Sequence, residues 1–318
     1  MSTRDEKDLR FLGFDIPNRN YSSTVNEIFF NDFDYTWHMQ YKLSNSDIRE
    51  WTIMPNESAA DDGSVVYKYN NDFFRCDDFT SSHDGKHILF AGCSETEGMG
   101  GNVEDVWGHI LHEKIARITN VDGYYSIGKA GYGWQKIILS IQVYIKKYGK
   151  PDMIFALLPN IGRLFAWSEN INDWHYQQKY PGLKGNEEFV KNKKKSSLDD
   201  REGSDEFAPQ AMLPNEYRKV FIDFAAGWKL FEDYCKQTDI KLLWGTWEDV
   251  DDFNFTNTNI FSNFVPLSKK EFLDNADLSE KYNQGSYRKR DGHHGRLFHE
   301  FWANKFLETA NEKGFFND

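Results

Sequence analysis

Residues Phe90-Ala-Gly-Cys-Ser-Glu-Thr-Glu-Gly-Met-Gly100 constrain this chain most, because they close one apolar run and open an amphipathic one. His87-Ile-Leu-Phe-Ala91 is too short for a helix and apolar enough for a buried strand. Beyond it, Val103, Val106, Trp107, Ile110, Leu111, Ile115 and Ile118 recur at helical spacing. Ser94 therefore falls on a strand-to-helix turn. Glycines at 92, 98, 100 and 101 let backbone approach a ligand closely, and a helix N-terminus favours negative charge developing there. Ser94 is the leading nucleophile candidate; the alternative is that Ser94 and Thr96 only cap the helix.

The same strand-then-helix rhythm continues. Tyr124-Tyr-Ser-Ile127, Met153-Ile-Phe-Ala-Leu-Leu158 and Lys241 to Trp247 read as strands. Trp134, Ile137, Ile138, Ile141, Ile145 and Tyr148 mark a helix ended by Gly149-Lys-Pro151. Further aromatic stripes from Tyr217 to Cys235 and from Leu297 to Phe306 read as core faces of two more helices. This order predicts an α/β fold: a three-layer sandwich around a mostly parallel, flavodoxin-like sheet, with an N-terminal elaboration and an insertion. The expected division is a β-rich N-terminal extension at 1–83, with strands near 35–43, 50–54 and 64–69, and a main domain at 84–318 interrupted at 166–215. Within the interruption, residues 191–206 are charged and nearly free of apolar side chains, as expected of a solvated loop.

Gly92-Cys-Ser94-Glu-Thr96-Glu-Gly98 resembles the first block of the SGNH (GDSL-type) hydrolases, with Cys93 where that family usually has aspartate. Three further blocks follow in the family's order. Gly128-Lys-Ala-Gly131-Tyr-Gly133 looks like the block whose glycine N–H lines the oxyanion hole, with Gly131 at the matching position. Pro159-Asn160 is similar to the asparagine block, although Leu158 replaces its glycine. Asp291-Gly-His-His294 is similar to the Asp-x-x-His block, and Asn71 to Arg75 looks like the segment that often precedes the nucleophile strand. The resemblance implies Ser94 as nucleophile, His294 as base, Asp291 as its orienting carboxylate, and an oxyanion hole of Ser94, Gly131 and Asn160. It also implies an esterase removing a small acyl group, most plausibly acetyl, from a carbohydrate or other hydrophilic carrier. A serine hydroxyl needs a base to take its proton, and that base works best with its tautomer fixed, so such a set has a chemical rationale. Trp167, Trp174 and Tyr176 are candidate substrate-binding aromatics at the rim.

A net charge of −12 argues against nucleic acid and against an anionic membrane surface as partners. Three widely spaced cysteines, Cys76, Cys93 and Cys235, fit reduced thiols, and Cys93 is expected to be a buried structural thiol rather than a rival nucleophile. His109, His112 and Glu113, and the group His293, His294 and His299, lack a clean zinc-ligand spacing, so no metal and no other cofactor are expected. The N-terminus lacks an apolar signal segment, which leads to an expectation of cytosolic synthesis, with a virion location as the alternative. The expected partner is a small-molecule or glycan ester. Rival readings are an acyltransferase using the same residues, and a structural protein, assembled as a homo-oligomer or in a virion, that keeps the fold without the activity.

Overall fold

The computed structural model describes residues 39–40, 50–53, 65–72, 74–99, 101–159, 161–168, 173–181, 210–212, 214–246, 260–266 and 294–317. Four parallel strands form the central sheet: β4 (Ile88–Gly92), β5 (Tyr125–Ser126), β6 (Met153–Leu158) and β10 (Lys241–Thr246), in the spatial order β10-β6-β4-β5. Counted within the sheet as first to fourth along the chain, the order is 2-1-3-4, the flavodoxin-like arrangement. A single parallel bridge from Trp244 to Phe264 extends it beyond β10.

Both faces of the sheet are apolar, which explains why its strands read as continuous hydrophobic runs rather than alternating ones. Leu89, Ala91, Ile154, Ala156, Leu158, Leu242 and Trp244 face one layer, built from α3 (Trp134–Tyr148) and α4 (Pro214–Gln237) through Ile137, Ile141, Phe224 and Trp228. Ile88, Phe90, Met153, Phe155, Leu157 and Leu243 face the other, where α2 (Trp107–Ala116) and α5 (Arg296–Glu312) contribute Trp107, Leu111, Trp302 and Phe306. Successive residues of each strand thus enter opposite layers, as the pleat requires. The expected three-layer α/β sandwich is what the chain forms.

Two local departures from the sequence expectation have clear causes. The first helix does not run on from the serine turn: a one-turn helix α1 (Ser94–Glu97) ends at Gly98, which has φ +76°, and α2 starts only after a 3₁₀ turn at Val103–Asp105. The left-handed glycine terminates α1, and Val106, extended at φ −81° and ψ 138°, re-aims the chain before α2. Past Asn160, where an irregular insertion was expected, β7 (Arg163–Ser168) and β8 (Asp173–Pro181) form an antiparallel hairpin with β9 (Gln210–Met212) paired to its outer strand. The charged stretch 191–206 lies outside the described residues. Ahead of the main sheet, β1 (Met39–Gln40), β2 (Glu50–Ile53) and β3 (Val65–Lys68) pair antiparallel in that order.

At the start of β4, His87 is buried and its ring stacks on His83 with centroids 3.6 Å apart. Its Nε2 shares a 2.7 Å hydrogen bond with the Tyr144 hydroxyl, while His83 Nδ1 pairs with Asp122 at 2.7 Å. Burial first, and then the neighbouring His83, lower the His87 pKa from 6.5 to about 4.

Two predictions follow from this packing. Because the His87 pKa is depressed on folding, the unfolded chain binds the extra proton between pH 6.5 and about 4. Stability should therefore fall as pH drops through that window, by up to about 3 kcal/mol from this group. Urea unfolding from pH 7 to 4.5 should show a shallower loss in His87→Gln than in wild type, even though the variant starts less stable. The second concerns Gly128, where an added Cβ would lie 2.6 Å from both Glu97 N and Thr96 C. Gly128→Ala should lower stability by about 1–3 kcal/mol, measured as a drop in Tm, because backbone cannot yield as a side-chain end can.

Candidate active site

The site is assembled at the carboxyl end of β4. Gly92 must be glycine, since a Cβ there would sit 2.5 Å from Leu157 O and run into the Thr96 hydroxyl. That contact sets the turn directly against β6. Cys93 is fully buried and opens α1, with its carbonyl accepting from the N–H groups of Thr96 and Glu97. Ser94 is the first helical residue and only 4% exposed. Its hydroxyl approaches Cys93 Sγ at 3.9 Å. Thr96 accepts a 3.2 Å hydrogen bond from the Trp107 indole and so ties the turn to α2.

Glu97 does more. Its carboxylate, 1% exposed, accepts from the Tyr69 hydroxyl at 2.9 Å and from the Ala130 N–H at 2.6 Å. Arg75, stacked over the Tyr67 ring, donates to the carbonyls of Glu97 and Gly98 at 3.3 and 2.6 Å. Arg75 belongs to the 71–75 segment singled out in the sequence, and Asn70 folds that segment by accepting from the N–H of Phe74 at 2.9 Å. Lys129 is buried with its ammonium 5.3 Å from the ring centres of both Tyr69 and Phe74.

The loop after β5 is thereby pinned residue by residue. Lys129 N–H donates to Gly92 O at 3.3 Å and Ala130 N–H to Glu97. The next residue is Gly131, with φ +82°, a conformation that favours glycine. Neither the Gly131 N–H nor the Ser94 N–H makes a hydrogen bond among the described residues.

His294 lies just before α5, at a side-chain exposure of 11%, with its ring stacked on Phe298 at a centroid distance of 3.7 Å. Its Nδ1 is 2.7 Å from Oε1 of Glu95, a residue the sequence reading did not single out. His299 Nε2 lies 3.7 Å from the other oxygen of the same carboxylate. The structure thus brings His294 to the residue following Ser94, and the hydroxyl of Ser94 itself to Cys93.

Asn160, Asp291 and His293 lie outside the described residues. The backbone of β7 and β8 places Trp167 opposite Trp174, and Tyr176 opposite Phe165, on the hairpin that follows the Asn160 segment. The three cysteines are free thiols. Burial pushes the Cys235 thiol up to about 12 and the Cys76 thiol well above its usual range, so neither supplies a thiolate. His112 is occupied by a 2.8 Å bond to Asp122 O, and among the described residues no group of His, Cys, Asp and Glu converges as a metal site. No helix among them is long and apolar enough to cross a membrane.

No protein-family model matches the chain, and no curated protein sequence does. Among solved structures it is similar to a protein from Parabacteroides merdae ATCC 43184 assigned as a GDSL-like lipase, at 13% sequence identity and a TM-score of 0.34. The match covers 71% of this chain and 95% of that one. At that level the likeness bears on neither chemistry nor substrate.

Proposed function

We propose that this chain is a serine ester hydrolase of the SGNH type, with Ser94 as nucleophile and His294 as base. The observation that carries the reading is a serine on the turn at the carboxyl end of a central parallel strand, with the His294 ring bonded to the next residue of that same turn. Ligands bind at that edge in open parallel sheets. The four ordered sequence blocks add independent support, since three of them contribute residues to this one region.

In the proposed reaction Ser94 Oγ attacks the ester carbonyl carbon as its proton passes to His294 Nε2. The carbonyl π electrons move to oxygen, and the oxyanion is held by the N–H groups of Ser94 and Gly131, with the Asn160 amide as a third donor. Collapse of the tetrahedral intermediate expels the alcohol, which takes the proton from His294. Water, deprotonated by the same histidine, then hydrolyses the acyl-enzyme. A histidine-to-serine contact that tightens only when substrate binds is common in such sites. The proposed substrate is a short acyl ester, acetyl foremost, on a carbohydrate carrier. Trp167, Trp174 and Tyr176 on the neighbouring hairpin are the proposed carrier-binding aromatics.

A fluorophosphonate probe tests the nucleophile without knowledge of the substrate. Wild type should be labelled at Ser94, and Ser94→Ala and His294→Ala should lose both labelling and hydrolysis of a short activated ester. Ser94→Ala should keep its fold at a cost within about 1 kcal/mol in unfolding free energy, since the hydroxyl is not a helix cap and makes only a 3.9 Å approach to Cys93 Sγ. Equal hydrolysis by wild type and Ser94→Ala would overturn the reading.

Glu97 provides a second test, because it holds the loop that presents Gly131. Glu97→Ala removes the acceptor of both the Tyr69 hydroxyl and the Ala130 N–H and so frees the loop before Gly131. Hydrolysis should fall about 10- to 100-fold in kcat with KM little changed, the pattern of a donor lost to the transition state rather than to the substrate. Steady-state kinetics on the short ester, with Tm measured in parallel, checks it.

A further inference from the structure

Sequence spacing points to Asp291 as the orienting carboxylate, yet the carboxylate found on the histidine comes from elsewhere. We propose that Glu95, the residue directly after the nucleophile, is the positioning residue that fixes the His294 base. The inference rests on the serine hydrolase reading and adds a member to its machinery.

Three features of the geometry carry it. Glu95 is 1% exposed, and a carboxylate withdrawn from water that far needs a cationic or strongly donating partner. Its Oε1 meets His294 Nδ1 at 2.7 Å and lies 3.4 Å from the His294 backbone N–H, so one oxygen addresses both the ring and the main chain of that residue. The Phe298 ring, tilted only 13° from the imidazole at 3.7 Å, fixes the plane in which Nδ1 can donate.

The chemical consequence follows from the tautomer. With Nδ1 keeping its proton and donating it in a hydrogen bond to Glu95, Nε2 carries the lone pair and is the nitrogen able to accept a proton from serine. His294 stands at the N-terminus of α5, where the helix dipole opposes a positive imidazolium. A fixed negative charge 2.7 Å away counters that opposition when the proton arrives. In this role Glu95 accepts a hydrogen bond and exchanges no proton. His299 Nε2 lies 3.7 Å from its second oxygen, on the inner side of the carboxylate.

Adjacency also has a mechanical meaning. Nucleophile and orienting carboxylate share one helical turn, so whatever places Ser94 places Glu95 with it. In this arrangement the base is brought in by the C-terminal part of the chain and locked by the turn itself.

The test uses the full chain and two readouts. The first is the second-order rate of Ser94 labelling by a fluorophosphonate; the second is the downfield ¹H resonance of a histidine Nδ1–H bonded to carboxylate, assigned by its loss in His294→Gln. Glu95→Gln, which is isosteric, should slow labelling on the order of 10³-fold and abolish the resonance. Glu95→Asp should recover part of both. Circular dichroism confirms that each variant is folded; should Glu95→Gln fail to fold, Glu95→Asp alone must still shift the resonance and slow labelling. Labelling of wild type with unchanged rate and resonance in Glu95→Gln would overturn the role. So would loss of the resonance in Asp291→Asn with its retention in Glu95→Gln, which transfers the role to Asp291. Failure of wild type to label at all would instead overturn the hydrolase reading from which the inference starts.

Discussion

The carboxylate of Glu97 is the tie on which the site's shape depends. One side chain receives hydrogen bonds from Tyr69, ahead of the central sheet, and from the Ala130 N–H, in the loop after β5, while its own backbone carbonyl takes Arg75. Two stretches of chain remote from it in sequence, residues 69–75 and the loop at Ala130, are thus held against a single turn of helix. Buried polar groups are costly when unmatched, so a fully engaged carboxylate of this kind permits few alternative arrangements of its neighbours. The close approach of Gly92 and Gly128 to surrounding backbone removes the remaining slack.

The sheet was readable in the sequence because its strands are short, apolar on both faces and bounded by glycine or helix-opening residues. Met153 to Leu158 is a case where length alone separates strand from helix. What could not be read was the hairpin of β7 and β8, whose aromatic and charged residues carry no clean period of two, and whose pairing is decided by register with each other. The break between α1 and α2 was hidden for a different reason. Apolar residues keep helical spacing across it, so only the glycine cluster signals the interruption.

The placement of Ser94 on a strand-to-helix turn and of Gly131 in a loop that needs glycine was legible because each combines a special backbone position with a recognisable neighbourhood. Glu95 and Glu97 were not, since glutamates in the first turn of a helix ordinarily face solvent and answer the dipole. Two such residues flanking Thr96 between glycines, in a block otherwise apolar or small, is the signal that could have marked them as inward-facing. The partner of Glu95 lies 199 residues away, a distance over which no local pattern operates. Asp291 and Asn160 rest on the motif resemblance alone.

Strand β4 has the histidine stack at one end and the serine turn at the other. Acid acts on the first through the cost of charging His87, which weakens the fold, whereas at the second it acts on the chemistry, since the base assigned there must be unprotonated to take the serine proton. Inactivation in mild acid can therefore begin at either end of this one strand, by loosening of the fold at the back or by loss of the base at the front.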